Sequence, residues 1–190
     1  MLRKAEQTEL EQLYKHLVLD FPEQERRDTT LDLLKENARK EIIQVFFYEE
    51  EQEKKGYTIL RQINQITLIQ FFAIFPLTRG KGVGSRFLKE LLELLFKQNQ
   101  KDILLEVEIP QIAISQQEYD IRQRRISFYE KQGFNILENL EYSLYGLPLF
   151  LMYYTRQKED KVEEKVQKAL EFFYSSATKE NQLKIEKIIK

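Results

Sequence analysis

Cysteine is absent from this chain of 190 residues, histidine occurs once, and there are only six glycines and four prolines. Without cysteine there is no disulfide, no thiolate metal site and no cysteine nucleophile, and the chain is indifferent to redox compartment, which leaves the cytoplasm as the default location. The single histidine, His16, lies in the helix-like segment TELEQLYKHLVLDF, far from other obvious chemical groups. A histidine metal cluster is therefore excluded, no metal is expected, and His16 reads as an ordinary helix residue. A charge excess is missing too. With 30 basic and 31 acidic side chains the formal net charge is −1, so no global field directs the protein to nucleic acid or to an anionic membrane. The N-terminal stretch MLRKAEQTELEQL has no apolar core behind its basic residues, and no run approaches the roughly 18 apolar residues of a membrane span. Chemistry is left to carboxylates, tyrosine, serine, lysine and backbone amides.

What is present is a sequence that folds: 42% of its residues are hydrophobic, and its length suits one domain with an appendage. Leu10, Leu13, Leu17 and Phe21 recur at helical spacing behind Thr8, a candidate cap, and TTLDLLKENA repeats the pattern, so two helices open the chain. From residue 41 the texture becomes β-branched and aromatic. EIIQVFFYEE, GYTILRQI after the charged turn EQEKKG, and ITLIQFFAIF after a turn at Asn64 predict an antiparallel meander. SRFLKELLELLFKQ carries one apolar stripe, Phe87, Leu88, Leu91, Leu92 and Leu95, with Lys89, Glu90, Glu93 and Lys97 on the wet side. DILLEVEI reads as a strand, QEYDIRQRRISFYEKQ as a helix stopped by Gly133, and FNILENL and PLFLMYY as two closing strands. Residues 157–190 differ: rich in Lys and Glu, without Gly or Pro, with Val162, Val166, Leu170 and Phe173 at helical spacing. This extension is expected to dock its stripe on the domain or across a homodimer, and Thr178 is a candidate cap for a second helix carrying Leu183 and Ile188.

Half of the scarce glycines, Gly80, Gly82 and Gly84, fall within five positions of the segment FFAIFPLTRGKGVGSRF. The loop joins a strand ending at Pro76 to a helix starting near Gly82. A helix N-terminus presents unsatisfied amides and a partial positive charge, and glycines let a ligand approach the backbone. Arg79, Lys81 and Arg86 add cations at the same mouth. The pattern predicts a phosphate or pyrophosphate cradle. It is not a nucleoside-triphosphate loop, because Lys81 comes early and no lysine stands between Gly84 and Ser85. Nor is it the dinucleotide fingerprint, whose third glycine is replaced by Ser85.

The string AIFPLTRGKGVG, residues 73–84, resembles the acetyl-CoA-binding signature of the GNAT superfamily of N-acetyltransferases, whose Arg/Gln-x-x-Gly-x-Gly/Ala core is matched by Arg79, Gly82 and Gly84. ISFYEKQGF, residues 126–134, is similar to the family's Phe/Leu-Tyr-Glu-Lys-x-Gly-Phe segment, in the expected order. The match covers about residues 57–136. The resemblance implies an α/β (α+β) fold: a mixed, mostly antiparallel seven-strand sheet flanked by helices over residues 1–156, with residues 157–190 as a helical C-terminal extension. It implies acetyl-CoA as co-substrate, with the pantetheine arm along the backbone of Phe72, Ala73 and Ile74, where that strand splays from DILLEVEI. The pyrophosphate would lie on the amides of Arg79, Gly80, Lys81, Gly82, Val83, Gly84 and Ser85.

The implied reaction is direct acetyl transfer to an amine of a small molecule or a protein. Alignment can supply much of the acceleration, since effective molarities reach about 10⁵ M or more. The resemblance gives Tyr129 the role of protonating or hydrogen-bonding the departing thiolate. No base is assigned by it. Some members carry a glutamate on the strand before the loop, where this chain has Leu68 and Gln70. Glu106 and Glu108 share one face of the next strand by period-two alternation. They are candidates for deprotonation through water, for binding a cationic acceptor, or for plain solvation. Arg122 and Arg125 stand where many members have a small residue or asparagine, and they either contact the 3′-phosphate of CoA or line a wet face. The competing function is a non-catalytic CoA-binding sensor or interaction module. Transfer to a hydroxyl, or of a longer acyl group, is a third option.

Overall fold

The computed structural model describes residues 1–27, 29–157, 162–175 and 183–187. Its contacts divide the chain into two units, Met1–Gln62 with Leu68–Gln98, and Ile63–Thr67 with Asn99–Lys190. Among the described residues no helix is long and apolar enough to cross a membrane.

The first unit contains, in chain order, β1 (Leu2–Lys4), α1 (Leu10–Asp20), α2 (Leu31–Arg39), β2 (Ile43–Glu50), all but the last residue of β3 (Glu53–Ile63), β4 (Ile66–Ile74) from Leu68 onward, and α3 (Val83–Lys97). The strands lie in the order β1-β2-β3-β4. β2 runs antiparallel to both neighbours, with Phe47 opposite Arg3 on one side and Tyr57 on the other. Leu10, Leu13 and Leu17 of α1 and Leu34 of α2 close over Val45, Phe47, Tyr57, Ile59 and Phe71. Each such fully buried side chain contributes about 1.5–3 kcal/mol. The stripe of α3 is buried as its spacing predicts, from Phe87 to Leu95.

Two local expectations are corrected here. Gly56 lies inside β3 and not in the turn before it. A Cβ on Gly56 would stand 2.3 Å from the carbonyl oxygen of Ala73, so the glycine marks a close approach of two backbones. The turn itself is the pair Glu51 and Gln52, both at positive φ, the two-residue geometry that joins antiparallel strands. Thr8 does not cap α1. It sits in a 3-10 turn, Gln7–Glu9, held by a reciprocal box between Glu6 and Glu9.

The second unit contains β5 (Asp102–Glu108), α4 (Gln116–Glu130), β6 (Asn135–Ile136), β7 (Leu140–Leu144), β8 (Leu147–Thr155), α5 (Val162–Phe173) and β9 (Leu183–Lys187). Its strand order is β5-β8-β7-β9, with β6 also on β8. Every pairing in this set is antiparallel. The described residues thus hold nine strands where seven were implied, and β1 and β9 lie outside the segments read as strands. The segment 134–140 is no single strand: β6 is two residues long, and LEYSL forms a separate strand, β7. Leu183 lies in β9, not in a helix, because Leu183 to Lys187 pair with Leu144 to Leu140. Thr178 and Ile188 fall outside the described residues. Val166, Ala169, Leu170 and Phe173 of α5 are buried. The Lys165 ammonium is paired with Asp102, a carboxylate only 1% exposed, which also accepts a hydrogen bond from the Tyr153 hydroxyl at 2.5 Å.

Candidate active site

In the first unit β4 delivers Phe72, Ala73 and Ile74 to the loop. Ala73 is buried, Phe72 and Ile74 are half-buried, and the Phe72 ring rests on Phe87 of α3 with centroids 4.5 Å apart. The chain then turns through a 3-10 segment, Pro76–Thr78, fastened by the Thr78 hydroxyl to the carbonyls of Phe75 and Lys55 at 2.9 and 3.1 Å. Gly80 has φ +80 and Gly82 φ +71, a region that penalises any Cβ. Gly84 lies in the first turn of α3 with ordinary helical handedness, so positive φ explains two of the three glycines.

Gly82 is the N-cap of α3 and no side chain caps the helix. The first helical bond is made by the Arg86 amide to the Gly82 carbonyl, 3.2 Å, so the amides of Val83 and Gly84 precede the ladder. Val83 is buried and anchors this turn, while Gly84 and Ser85 are half-buried beside it. Arg79, Gly80, Lys81 and Gly82 are exposed. The arrangement is an open nest of backbone donors at the positive end of a 15-residue helix.

The cations of the loop are not equivalent. Arg79 donates through Nε to the Ile74 carbonyl, 2.8 Å, and through Nη2 to Asp20, 3.2 Å. Arg86 makes a two-pronged bond to Glu50 at 2.7 and 3.0 Å and donates through Nη1 to the Lys81 carbonyl at 3.0 Å. Lys81 alone of the three has no carboxylate partner among the described residues. The Arg86 guanidinium and the Tyr48 hydroxyl hold the Glu50 carboxyl down at about 2. Asp20 and Glu50 went unread in the sequence, and no local signal marks them. They stand 59 and 36 residues from the arginines they bind.

In the second unit Tyr129 is buried, 7% exposed, near the end of α4, and its ring meets Phe128 and Phe134 edge to face at 5.0 and 5.8 Å. Burial pushes its hydroxyl up to about 12, so it stays a neutral phenol and a donor at physiological pH. The helix end beside it is sealed. Phe134 and Gly133 donate to the carbonyls of Tyr129 and Glu130 at 3.1 and 2.9 Å, with Gly133 at φ +94.

The two β5 glutamates have separate surroundings. Glu106 accepts from the Tyr142 hydroxyl on one oxygen and from the Tyr174 hydroxyl, 2.8 Å, on the other. Glu108 pairs with Arg125. Arg122 pairs with Glu118 and donates to the Ile109 carbonyl at 2.6 Å. On β4, at the positions without a carboxylate, Leu68 is fully buried and Gln70 accepts from Arg61 Nε at 3.0 Å. Among the described residues no three His, Asp or Glu side chains gather as a metal site.

Residues 10–134 match the model of the acetyltransferase (GNAT) family. Among solved structures, a GNAT-family acetyltransferase from Bacteroides thetaiotaomicron is 26% identical with a TM-score of 0.72, over 90% of this chain and 96% of that one. A dodecameric spermidine N-acetyltransferase from Vibrio cholerae is 19% identical with a TM-score of 0.63, over 82% and 93%. The ribosomal-protein-S18-alanine N-acetyltransferase from Escherichia coli is 18% identical with a TM-score of 0.61, over 85% and 97%. These last two likenesses are of fold. No curated protein matches the sequence.

Proposed function

The chain belongs to the GNAT acetyltransferase family, and from that premise we propose that it transfers the acetyl group of acetyl-CoA directly to an amine of a small molecule or a protein. The observation that carries this reading is the uncapped start of α3, where Gly80 and Gly82 turn the chain so that backbone donors stand open to an anion. The pyrophosphate of acetyl-CoA is the ligand the family motif calls for at Arg79 to Ser85. Phe72 to Ile74 present the strand backbone to the pantetheine arm.

Transfer begins with the acceptor nitrogen attacking the thioester carbonyl. It ends with expulsion of the CoA thiolate and loss of a proton from nitrogen. Tyr129 serves the sulfur: a phenol kept neutral by burial donates to the thiolate as charge develops there. Glu106, which accepts from the Tyr142 and Tyr174 hydroxyls, and Glu108, which pairs with Arg125, serve the acceptor side in this reading. The amine acceptors named for the Vibrio cholerae and Escherichia coli structures fit a family that works on both small-molecule and protein amines.

The test is a thermal-shift titration with acetyl-CoA followed by an acceptor panel of polyamines, amino acids and peptides, with CoA release as readout. Stabilisation by acetyl-CoA and release on at least one amine are expected. Stabilisation without release on any acceptor would identify a CoA-binding module instead, and no stabilisation would remove the cradle.

A further inference from the structure

Elementary electrostatics assigns the arginines beside an anion site to the ligand and treats nearby carboxylates as a hindrance. The geometry gives both groups other partners. On each flank of the loop the same device recurs: a buried tyrosine donates to a carboxylate, the carboxylate holds an arginine, and the arginine donates to a backbone carbonyl of the loop or its approach. On one side Tyr48 donates to Glu50 at 2.9 Å, Glu50 grips Arg86, and Arg86 reaches the Lys81 carbonyl. On the other, Tyr57 donates to Asp20 at 3.1 Å, Asp20 holds Arg79, and Arg79 reaches the Ile74 carbonyl.

From this repeated arrangement we propose that Glu50 and Asp20 are positioning residues of the 79–85 cradle, which tighten acetyl-CoA binding although both are negative. The inference rests on the reading of that loop as the acetyl-CoA site and adds what keeps it in shape. The Lys81 carbonyl lies between Gly80 and Gly82, the two left-handed glycines of this loop, where the backbone has most freedom to lose. Arg86 can pin it because a guanidinium offers several donors in a fixed plane: two are spent on Glu50, and Nη1 is thereby aimed at the loop. Glu50 is itself fixed. Its Tyr48 partner is 2% exposed and lies stacked on Phe87 of α3, centroids 5.0 Å apart and planes 5° from parallel. Tyr57, fully buried, fixes Asp20 in the same way. A loop ordered before the ligand arrives does not lose that freedom on binding.

The two pictures predict opposite signs. If Glu50 acts only as a charge, Glu50→Gln removes repulsion and releases Arg86, and acetyl-CoA binds more tightly. If it positions the loop, Glu50→Gln weakens binding by about two- to tenfold, as does Asp20→Asn. The experiment is calorimetric titration of the full chain with acetyl-CoA, paired with amide hydrogen exchange over residues 79–86 without ligand. We expect weaker binding and faster exchange in both variants, with no further weakening when Glu50→Gln is added to Arg86→Gln. Tyr48→Phe, which keeps the ring stack, should give a smaller loss in the same direction should Glu50→Gln fail to fold. Unchanged or tighter binding with unchanged exchange overturns the positioning role. Failure of the wild-type chain to bind acetyl-CoA overturns the cradle reading itself, and exchange then still reports whether Glu50 orders the loop.

Discussion

Gly82 and Gly133 are both left-handed glycines at a helix end, and they do opposite things. Gly82 opens α3 with no side-chain cap, leaving the amides of Val83 and Gly84 ahead of the hydrogen-bond ladder. Gly133 closes α4 by satisfying it: its own amide and that of Phe134 return to the carbonyls of Glu130 and Tyr129. A glycine turn that leaves donors unmatched is a binding element. One that matches the groups nearby is a structural joint, and in the proposed mechanism the chemistry beside it comes from a side chain, Tyr129.

The largest effect expected from this contrast is at the open end. Gly82→Glu puts a side chain and a negative charge where the anion belongs, and should lower acetyl-CoA affinity about 100-fold or more, about 2.7 kcal/mol, by calorimetry. Gly84→Glu should act likewise. Near-wild-type affinity in the folded variants would erase the distinction between the two turns.

Tyr129→Phe comes next. It keeps the ring packing against Phe128 and Phe134 and removes the donor, so kcat should fall about ten- to a thousandfold with little change in acetyl-CoA affinity. A kcat within about twofold of wild type, on an acceptor for which chemistry limits the rate, would make the sealed helix end purely structural.

Gly133→Ala should do the reverse of Gly82→Glu. It imposes left-handed backbone on alanine and brings a Cβ to 3.0 Å from the Tyr154 ring, costing about 1–2 kcal/mol of stability by denaturant titration while acetyl-CoA affinity stays put. A binding defect without a stability loss would invert the comparison.

The smallest effect is on pH dependence. The Tyr129 hydroxyl is raised to about 12, so its proton is bound in the folded state throughout the physiological range. A folded value above the ordinary 10 means that the associated stability is complete below about 10 and is lost only as pH climbs through about 12. The rate profile should accordingly show no descending limb from this group below about pH 10. A limb near 8 that vanishes in Tyr129→Phe would show that burial does not protect it.

Much of this was readable from the chain alone because it is written locally. The α3 stripe, the glycine loop at its start and the stop at Gly133 are patterns within one helix and its flanks. What escaped depends on distant partners. β9 forms only because Leu183–Lys187 find the edge of β7, and five residues of alternating pattern are too few to outweigh a helical reading of the extension. In the sequence the arginines of the loop only add positive charge at its mouth, since their sequence neighbours offer no anion. The structure gives them Asp20 and Glu50, side chains from α1 and β2 that no spacing rule connects to residues 79–86. The pairing of Glu106 with Tyr142 and Tyr174 is equally invisible, being 36 and 68 residues long in sequence.

The central claim, that scarce glycine marks a backbone site for acetyl-CoA, is open to one direct measurement, because the chain has only six glycines. Selective labelling of glycine nitrogen reduces the amide spectrum to six signals, and titration with acetyl-CoA should move those of Gly80, Gly82 and Gly84 most, leaving Gly146 in place. Saturable binding in which these three signals stay fixed, or a spectrum that does not respond to acetyl-CoA at all, would contradict it.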